Sequence, residues 1–198
     1  MQLNTPEYWN AKYTAWGPKG VHPDYFLFQY PLARLPETGA MLEVGGGSGD
    51  FLAQVARARP GLELFAFDMC PVAVEQSRAR VPQAQYEVGL IPDARPFGGR
   101  RFDVVVAIEV VEHHTVEDAT VFLACLRAQG ERVILTFPRD RNPLPMHLVD
   151  YASPEQFEPV LGDETRPTTM ETIPGHWIVE IGRAEPIPEI QEPGKRLR

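Results

Sequence analysis

Four glycines within five residues follow a short apolar run, and this loop constrains the fold more than any other feature of the chain. The stretch reads MLEVGGGSGDF and covers residues 41–51. Glycine loses more backbone entropy on folding than any other residue, so such a cluster indicates a place where a ligand or another backbone comes close. The apolar run before it, residues 40–44, predicts a strand. The helical spacing of apolar residues after it, over 50–58, predicts a helix.

Strands and helices are predicted to alternate along the rest of the chain. The remaining predicted strands lie at 62–67, 85–88, 102–108, 132–137, 168–173 and 176–181. The remaining predicted helices lie at 71–80, at 115–126 and after Ser153. This alternation predicts an α/β fold: a doubly wound, mostly parallel seven-stranded sheet with helices on both faces and an antiparallel last strand pair. Ligands bind such sheets at the carboxyl ends of the strands.

The composition argues against some classes of binding partner for the protein. Its formal net charge of −8 argues against sequence-independent binding to nucleic acid, which requires clustered Lys and Arg. No apolar run predicts a membrane span, and no signal peptide is recognisable. Cys70 and Cys125 have neither metal-ligand spacing nor a disulfide framework, so we expect a cytoplasmic protein. We also expect one domain over residues 1–184, with an aromatic lid segment at 1–38 and a poorly ordered tail at 185–198.

The spacing in the glycine loop excludes two common phosphate sites. The dinucleotide pattern G-x-G-x-x-G, counted from Gly45, needs glycine at position 50, where the chain has Asp50, and the G-K-[ST] of a P-loop is absent. Glu43, just before the loop, would repel a pyrophosphate and attract a cation. Asp68, at the end of the second predicted strand, can accept hydrogen bonds from both ribose hydroxyls. A ligand with a cationic amino-acid end and a nucleoside end satisfies both carboxylates.

These residues resemble motif I and the following acidic motif of the class I S-adenosylmethionine-dependent methyltransferases. The resemblance implies S-adenosyl-L-methionine as cofactor and S-adenosyl-L-homocysteine as product. It implies that Glu43 contacts the methionine amino group, that Asp68 holds the ribose and that Met69 lies against the adenine. The loop residues that would let the backbone approach the cofactor are Gly45, Gly46, Gly47 and Gly49.

Two more segments are similar to parts of this family, and one position departs from its pattern. PEYWNAKY, residues 6–13, is similar to an aromatic N-terminal helix of many members, which implies that Trp9 and Tyr13 border the cofactor. RPFGGRRFDVVVAIEVVEHH resembles the fourth-strand region and places Glu109 at the cofactor site. Members often carry an Asp after the third strand to bind the adenine amine, and Ile91 stands there instead.

The chemistry is expected just past the fourth strand, where Glu109, Glu112 and His113 have the spacing i, i+3, i+4 of a helical turn. One interpretation makes His113 a general base, because its pKa is close to the working pH, with Glu112 and His147 as further catalytic residues. His114 is the alternative base. The other possible roles of this segment are metal binding and local structure.

In the metal interpretation, Glu109, Glu112 and His113 bind a divalent ion, with His147 completing the shell. This E-x-x-E-H arrangement is similar to that of the small-RNA 2′-O-methyltransferases, although E-V-x-E-H also recurs in metal-free relatives. In the structural interpretation, Glu112 caps or pairs locally and the histidines line a loop. His176, which precedes an apolar strand, is interpreted as structural.

The leading functional hypothesis is methyl transfer from S-adenosylmethionine to an oxygen or nitrogen of a small-molecule acceptor. The alternatives are a metal-assisted 2′-O-methyltransferase acting on RNA or a sugar hydroxyl, and a catalytically silent cofactor-binding partner protein. A nicotinamide oxidoreductase is disfavoured by Asp50. The acceptor is expected between the N-terminal aromatic segment and the loop at 138–151, because loops at this end of a parallel sheet form substrate sites.

Overall fold

The protein folds around one mixed sheet, as described by a computed structural model covering residues 3–18, 25–91, 93–139, 144–162 and 168–182. The strands are β1 (Thr38–Val44), β2 (Gly61–Asp68), β3 (Gln85–Val88), β4 (Phe102–Ile108), β5 (Gly130–Pro138), β6 (Thr168–Ile173) and β7 (His176–Ile181). Their order in the sheet is β3-β2-β1-β4-β5-β7-β6. Strands β1 to β5 pair in parallel, whereas β7 is antiparallel to both β5 and β6. The predicted doubly wound sheet with an antiparallel last pair is confirmed.

Local sequence explains where the main helices begin. The helices are α1 (Pro6–Trp16), α2 (Gln29–Ala33), α3 (Asp50–Ala58), α4 (Pro71–Arg80), α5 (Val116–Gln129) and α6 (Pro154–Leu161). Three of them, α1, α4 and α6, start with proline, which lacks the N–H that the first helical turn leaves unpaired. Thr115 caps α5 through a bond from the Asp118 N–H, and Ser153 with Gln156 forms a capping box on α6.

The core has two layers, one on each face of the sheet. Leu42 and Val105 belong to the layer that includes the apolar side of α5, while Met41 and Val104 belong to the layer that includes α3. Strands buried on both faces in this way read as nearly continuous apolar runs. This explains why the full length of β4 could be predicted from its apolar sequence.

The topology places a crevice between the carboxyl ends of β1 and β4. From β1 the chain moves outward to β2 and β3 on one side, then crosses to β4 and β5 on the other. Strand order reverses between β1 and β4, and loops that leave neighbouring strands in opposite directions open a cleft there. The glycine loop follows β1, and the segment 109–114 follows β4. Both therefore meet at this crevice.

The predicted tail at 185–198 and the predicted domain limit at 184 lie outside the described residues. None of the helices within the described ranges has the length and apolar character needed to cross a membrane.

Candidate active site

The glycine loop turns sharply between β1 and α3. Gly45, Gly47 and Gly49 have φ values of +71°, +54° and +78°, a region that other residues rarely adopt. The Gly45 N–H donates to the Phe67 carbonyl at 2.8 Å, which ties the loop to the end of β2. A Cβ on Gly46 would lie 2.6 Å from the Glu43 carboxyl carbon. The loop thus folds directly over Glu43, where only glycine fits.

Glu43 is a buried carboxylate with an unpartnered oxygen. Its residue is 2% exposed, and its Oε2 has no hydrogen-bond partner among the described residues. Burial, with smaller contributions from the negative charges of Asp68 and Asp50, raises the pKa of Glu43 to about 8. Asp50 is itself neutralised by an ion pair with Arg80. Among the described residues no cation pairs with Glu43, and a ligand could supply the partner that a buried carboxylate requires.

Asp68 is held at the end of β2 by two backbone bonds. Its Oδ2 accepts from the Gly47 N–H at 2.9 Å, and its Oδ1 accepts from the Cys70 N–H at 2.8 Å. Burial raises the pKa of Asp68, and these two bonds partly oppose the rise. Each carboxylate oxygen retains a second lone pair, so Asp68 is fixed in orientation and can still accept bonds from two hydroxyls.

Two clefts open at this end of the sheet. The inner cleft is mostly apolar and is lined by Trp9, Tyr13, Val44, Gly45, Phe67, Asp68, Met69, Gly89, Leu90, Ile91, Glu109, Val110, His113, His114 and Phe122. The outer cleft is lined by Trp9, Tyr13, Trp16, Tyr25, Phe28, Glu43, Gly45, Gly46, Gly47, Ser48, Asp50, Phe51, Ile108, Glu109, His113, Leu144, Met146 and His147. The two share Trp9, Tyr13, Gly45, Glu109 and His113, so they are neighbouring parts of one site.

The predicted cofactor residues divide between these clefts. Asp68, Met69 and Ile91 line the inner one, whereas Glu43, Gly46 and Gly47 line the outer one. Gly49 lines neither, because it packs against Ser77 of α4. The inner cleft is thus an apolar chamber with Asp68 in its lining. Glu43 lies in the outer cleft, beside the backbone of the glycine loop.

Helix α1 covers the glycine loop. A Cβ on Gly47 would overlap the Tyr13 hydroxyl, and the Trp9 ring lies 5.1 Å from the His113 ring. Burial, together with the nearby charge of Asp68, raises the pKa of Tyr13. Asn4, just before the helix, donates through Nδ2 to the carbonyls of His113 and Met146 at 2.9 and 2.8 Å. The aromatic N-terminal helix therefore closes the site from above.

His113 lines both clefts. It ends a 3₁₀ turn, Val111–His113, and its Nδ1 lies 3.0 Å from the Met146 carbonyl. A carbonyl can only accept, so Nδ1 carries the proton and the neutral ring has its lone pair on Nε2. Burial lowers the pKa of His113 to about 4, so the expectation of a pKa close to the working pH is wrong. The neutral Nε2 could still act as a metal ligand, or as a base weaker than an ordinary histidine.

Glu112 and His147 lie beside His113. Glu112 is 2% exposed, and neither of its carboxylate oxygens has a hydrogen-bond partner among the described residues. Burial and the charge of Glu109 raise its pKa. One potential ligand atom from each of Glu112, His113 and His147 lies within 4.8 Å of the others. These three predicted catalytic residues are thus brought together, in a form that could hold a divalent cation.

Glu109 does not share a helical turn with Glu112 and His113. The turn begins only at Val111, and Glu109 has a left-handed backbone with φ +56°. Its Oε2 instead lies 3.3 Å from His176 Nε2, across the sheet at the start of β7. The expected grouping of Glu109, Glu112 and His113 on one helical face is wrong. Glu109 has a left-handed backbone just after β4, and the 3₁₀ turn starts only two residues later.

The contact of His176 with Glu109 could not be predicted from the sequence. His176 was interpreted as structural, since nothing in its local sequence distinguishes it from other residues that open a strand. Only the antiparallel pairing of β7 with β5 brings it beside Glu109. His114, the alternative base, donates through Nδ1 to the Val110 carbonyl at 3.1 Å and stacks on Phe122.

The fold and the site define a class of protein: a Rossmann-like domain whose glycine loop and two carboxylates surround an apolar chamber. Residues 42–129 match a family described as "Methyltransferase domain". This match covers 88 of the 198 residues of the chain, and it agrees with the resemblance that the sequence indicated.

One curated relative is similar to about half of the chain. Demethylspheroidene O-methyltransferase of Cereibacter sphaeroides is 34% identical over 109 residues, which covers 48% of this chain and 27% of that protein. The chain thus spans about a quarter of the relative's length.

Solved structures share the fold at low sequence identity. Magnesium protoporphyrin IX methyltransferase of Synechocystis PCC 6803, with bound S-adenosylhomocysteine, has a TM-score of 0.71 at 17% identity, covering 90% of this chain and 98% of that one. A methyltransferase of calicheamicin biosynthesis, CalO1, also with S-adenosylhomocysteine bound, has a TM-score of 0.63 at 21% identity, covering 82% and 54%.

Proposed function

We propose that this protein transfers a methyl group from S-adenosylmethionine to an oxygen, or less favourably a nitrogen, of a small-molecule acceptor in the cytoplasm. The observation that carries this proposal is Glu43, a buried carboxylate with an unpartnered oxygen beside a glycine loop. An ammonium group on the ligand would satisfy it. The curated relative is an O-methyltransferase, which supports transfer to oxygen.

The residues present fit this cofactor from end to end. Glu43 would bind the methionine ammonium, and the backbone of the glycine loop would lie against the methionine chain. Asp68, already oriented by two N–H groups, would accept bonds from the ribose hydroxyls. Met69 and Ile91 would flank the adenine in the inner cleft. At Ile91 the adenine would gain an apolar contact instead of a bond to its amine.

His113 is the best-placed group to remove the acceptor proton. Bound S-adenosylmethionine supplies the methyl group on a sulfonium, which needs only an aligned nucleophile. His113 lines both clefts, and its Nε2 carries the lone pair because Nδ1 donates to the Met146 carbonyl. It would take the proton of the acceptor hydroxyl as the new O–CH₃ bond forms and the C–S bond breaks. His147 and Glu112 would position the acceptor and His113.

The first test is titration calorimetry with S-adenosylmethionine, S-adenosylhomocysteine and NAD. We expect both sulfur compounds to bind and NAD not to bind. Glu43→Gln should weaken S-adenosylmethionine binding by roughly ten- to a hundredfold, because a charge-assisted bond is lost. Glu75→Gln, on the solvent side of α4, is the matched control and should bind like the wild type.

Turnover separates an enzyme from a silent partner. Release of S-adenosylhomocysteine should be measured with a set of phenols, enols and amines. Binding of the cofactor without release by any of them would favour the cofactor-binding partner protein. Uptake of NAD with no response to S-adenosylmethionine would remove the proposal altogether.

A metal-assisted reaction on a hydroxyl is the second candidate, favoured by the two unpartnered oxygens of Glu112. A divalent cation held by Glu112, His113 and His147 would satisfy them and could bind the acceptor oxygen. Calorimetric titration of the chelator-treated protein with Mn²⁺ tests this idea without reference to activity. Micromolar binding that disappears in Glu112→Gln would support it. No binding would leave His113 as the base.

A further inference from the structure

His176 contacts two residues that line the outer cleft. Its Nε2 lies 3.3 Å from Glu109 Oε2 and 3.4 Å from the Tyr25 hydroxyl. Its Nδ1 lies 3.0 Å from the Pro174 carbonyl and therefore carries a proton. With both nitrogens engaged, the ring has one orientation, and it joins the N-terminal aromatic segment to the segment that follows β4.

Both oxygens of the Glu109 carboxylate have a neighbour. Oε2 lies 3.3 Å from His176 Nε2, and Oε1 accepts from the Thr136 hydroxyl at 3.5 Å. Glu109 is thus held at both oxygens, and its remaining lone pairs are available to the cleft.

The backbone at Glu109 also indicates a functional position. Its φ of +56° lies in the left-handed region, which a glutamate rarely adopts. Strain of this kind persists only where the surroundings over-determine it, and it clusters at ligand sites. Glu109 lines both clefts, so it stands where cofactor and acceptor would meet.

The charge of the outer cleft restricts what can bind beside Glu109. Its described lining includes the carboxylates of Glu43, Asp50 and Glu109 and no lysine or arginine. Asp50 is paired with Arg80, and Glu43 would be paired with the cofactor ammonium, so Glu109 is the acidic group that remains to act on the acceptor. The other walls are largely aromatic and aliphatic, so a planar apolar acceptor that presents hydroxyl or amino groups fits this lining. A carboxylate placed beside Glu109 would be repelled.

We propose that Glu109 and Tyr25, held by His176 as a positioning residue, form a subsite for a second hydrogen-bond donor of the acceptor, separate from the methylated atom. The inference rests on the proposed function. It defines the acceptor as a planar molecule with at least two hydroxyl or amino groups and no carboxylate near them.

Three matched probes test this subsite on the protein saturated with S-adenosylhomocysteine. The probes are 2,7-dihydroxynaphthalene, 7-methoxy-2-naphthol and 7-hydroxy-2-naphthoate, and their dissociation constants can be measured by saturation-transfer NMR. The diol should bind roughly three- to tenfold more tightly than the methyl ether, the value of one net hydrogen bond. The naphthoate should bind most weakly. Equal binding of the three, or binding of none, overturns the proposal.

Variants assign the preference to the three residues. Glu109→Leu and His176→Phe should each remove the advantage of the diol at saturating S-adenosylhomocysteine. His176 lines neither cleft, so His176→Phe should also leave S-adenosylhomocysteine affinity within about twofold. His176→Gln should restore part of the advantage of the diol, because its amide can replace Nε2. Tyr25→Phe should reduce the advantage, whereas Tyr86→Phe, a matched change on β3 outside both clefts, should not. An unchanged preference in His176→Phe also overturns the proposal.

The two levels of the argument fail differently. If S-adenosylhomocysteine does not bind the wild type, the proposed function fails. If it binds and the probes show no preference, only the subsite fails.

Discussion

Buried carboxylates are the residues on which the site depends. Glu43 and Glu112 are each 2% exposed and have oxygens without partners among the described residues. Burying such a group without a partner is costly, and the protein retains both at one end of the sheet. We infer that these carboxylates lower the stability of the ligand-free protein and that stability and ligand binding are linked there.

The linkage gives a pH prediction for the ligand-free protein. The folded-state pKa of Glu43 is raised from 4.5 to about 8, so the folded state binds more protons than the unfolded state between these values. The free energy of unfolding of the wild type should therefore fall as the pH rises from about 4.5 to about 8. Glu43→Gln should be more stable than wild type at pH 9 by on the order of 5 kcal/mol, and similar to it at pH 4.5.

Urea unfolding at both pH values measures this difference, with Glu75→Gln as the control for a surface change. A variant that is less stable than wild type at pH 9 would show that Glu43 has a cationic partner within the protein.

Two glycines of the loop should respond differently to alanine. At Gly47 the added Cβ overlaps only the Tyr13 hydroxyl, which can move, so Gly47→Ala should lower stability by about 1 kcal/mol and weaken S-adenosylhomocysteine binding. At Gly49 it lies 3.0 Å from the Ser77 backbone, so Gly49→Ala should cost about 2–3 kcal/mol. Urea unfolding and calorimetry compare the two. Equal losses of stability would contradict the assigned roles.

At the scale of elements, much of the fold could be predicted from the sequence. The bounds of α3, β3 and β4 were predicted without error, because apolar runs and helical spacing are local signals. Helix α5 continues three residues beyond the predicted 126, and β5 starts at Gly130 directly after it. A helix that leads straight into a strand has no turn residues to mark the boundary.

The candidate site could be predicted where its residues follow one loop, but not where strands distant in the sequence meet. The positions of Glu43 and Asp68 follow from spacing near one loop. The contact of Glu109 with His176 joins residues on β4 and β7 and depends on strand order, which no local pattern specifies.

The cap of α5 gives a test at this scale. The Thr115 hydroxyl accepts from the Asp118 N–H at 3.2 Å, so Thr115→Ala should lower the free energy of unfolding by about 1 kcal/mol. Thr120→Ala, in the same helix, removes a hydroxyl that only bonds back to carbonyls and should change stability by less than about half of that. Chemical denaturation compares the two. Equal losses would show that the cap is not what holds this helix end.

At the scale of the whole molecule, α1 connects the two halves of the sheet. Asn4 bonds to His113 and Met146 on one side, and Asn10 accepts from the Val72 N–H of α4 at 3.3 Å on the other. We infer that α1 must open for a cofactor to enter and close for methyl transfer.

Asn4 tests this closure. Its φ of +57° is tolerated by asparagine and by glycine, so Asn4→Gly keeps the backbone and removes both bonds. We expect it to speed the dissociation of S-adenosylhomocysteine by about tenfold, and to increase amide exchange in residues 5–16 of the bound protein. Stopped-flow tryptophan fluorescence and hydrogen exchange measure these effects. Unchanged dissociation would show that α1 is not the cover of the site.

The position of β7 between β5 and β6 has a consequence for biosynthesis. Of the described strands, β6 pairs only with β7, so β6 has no place in the sheet until residue 181 has left the ribosome. A nascent chain that stops earlier can already form the glycine loop and its carboxylates, but it lacks His176. Ribosome-bound intermediates should therefore capture the nucleoside before they can discriminate among acceptors.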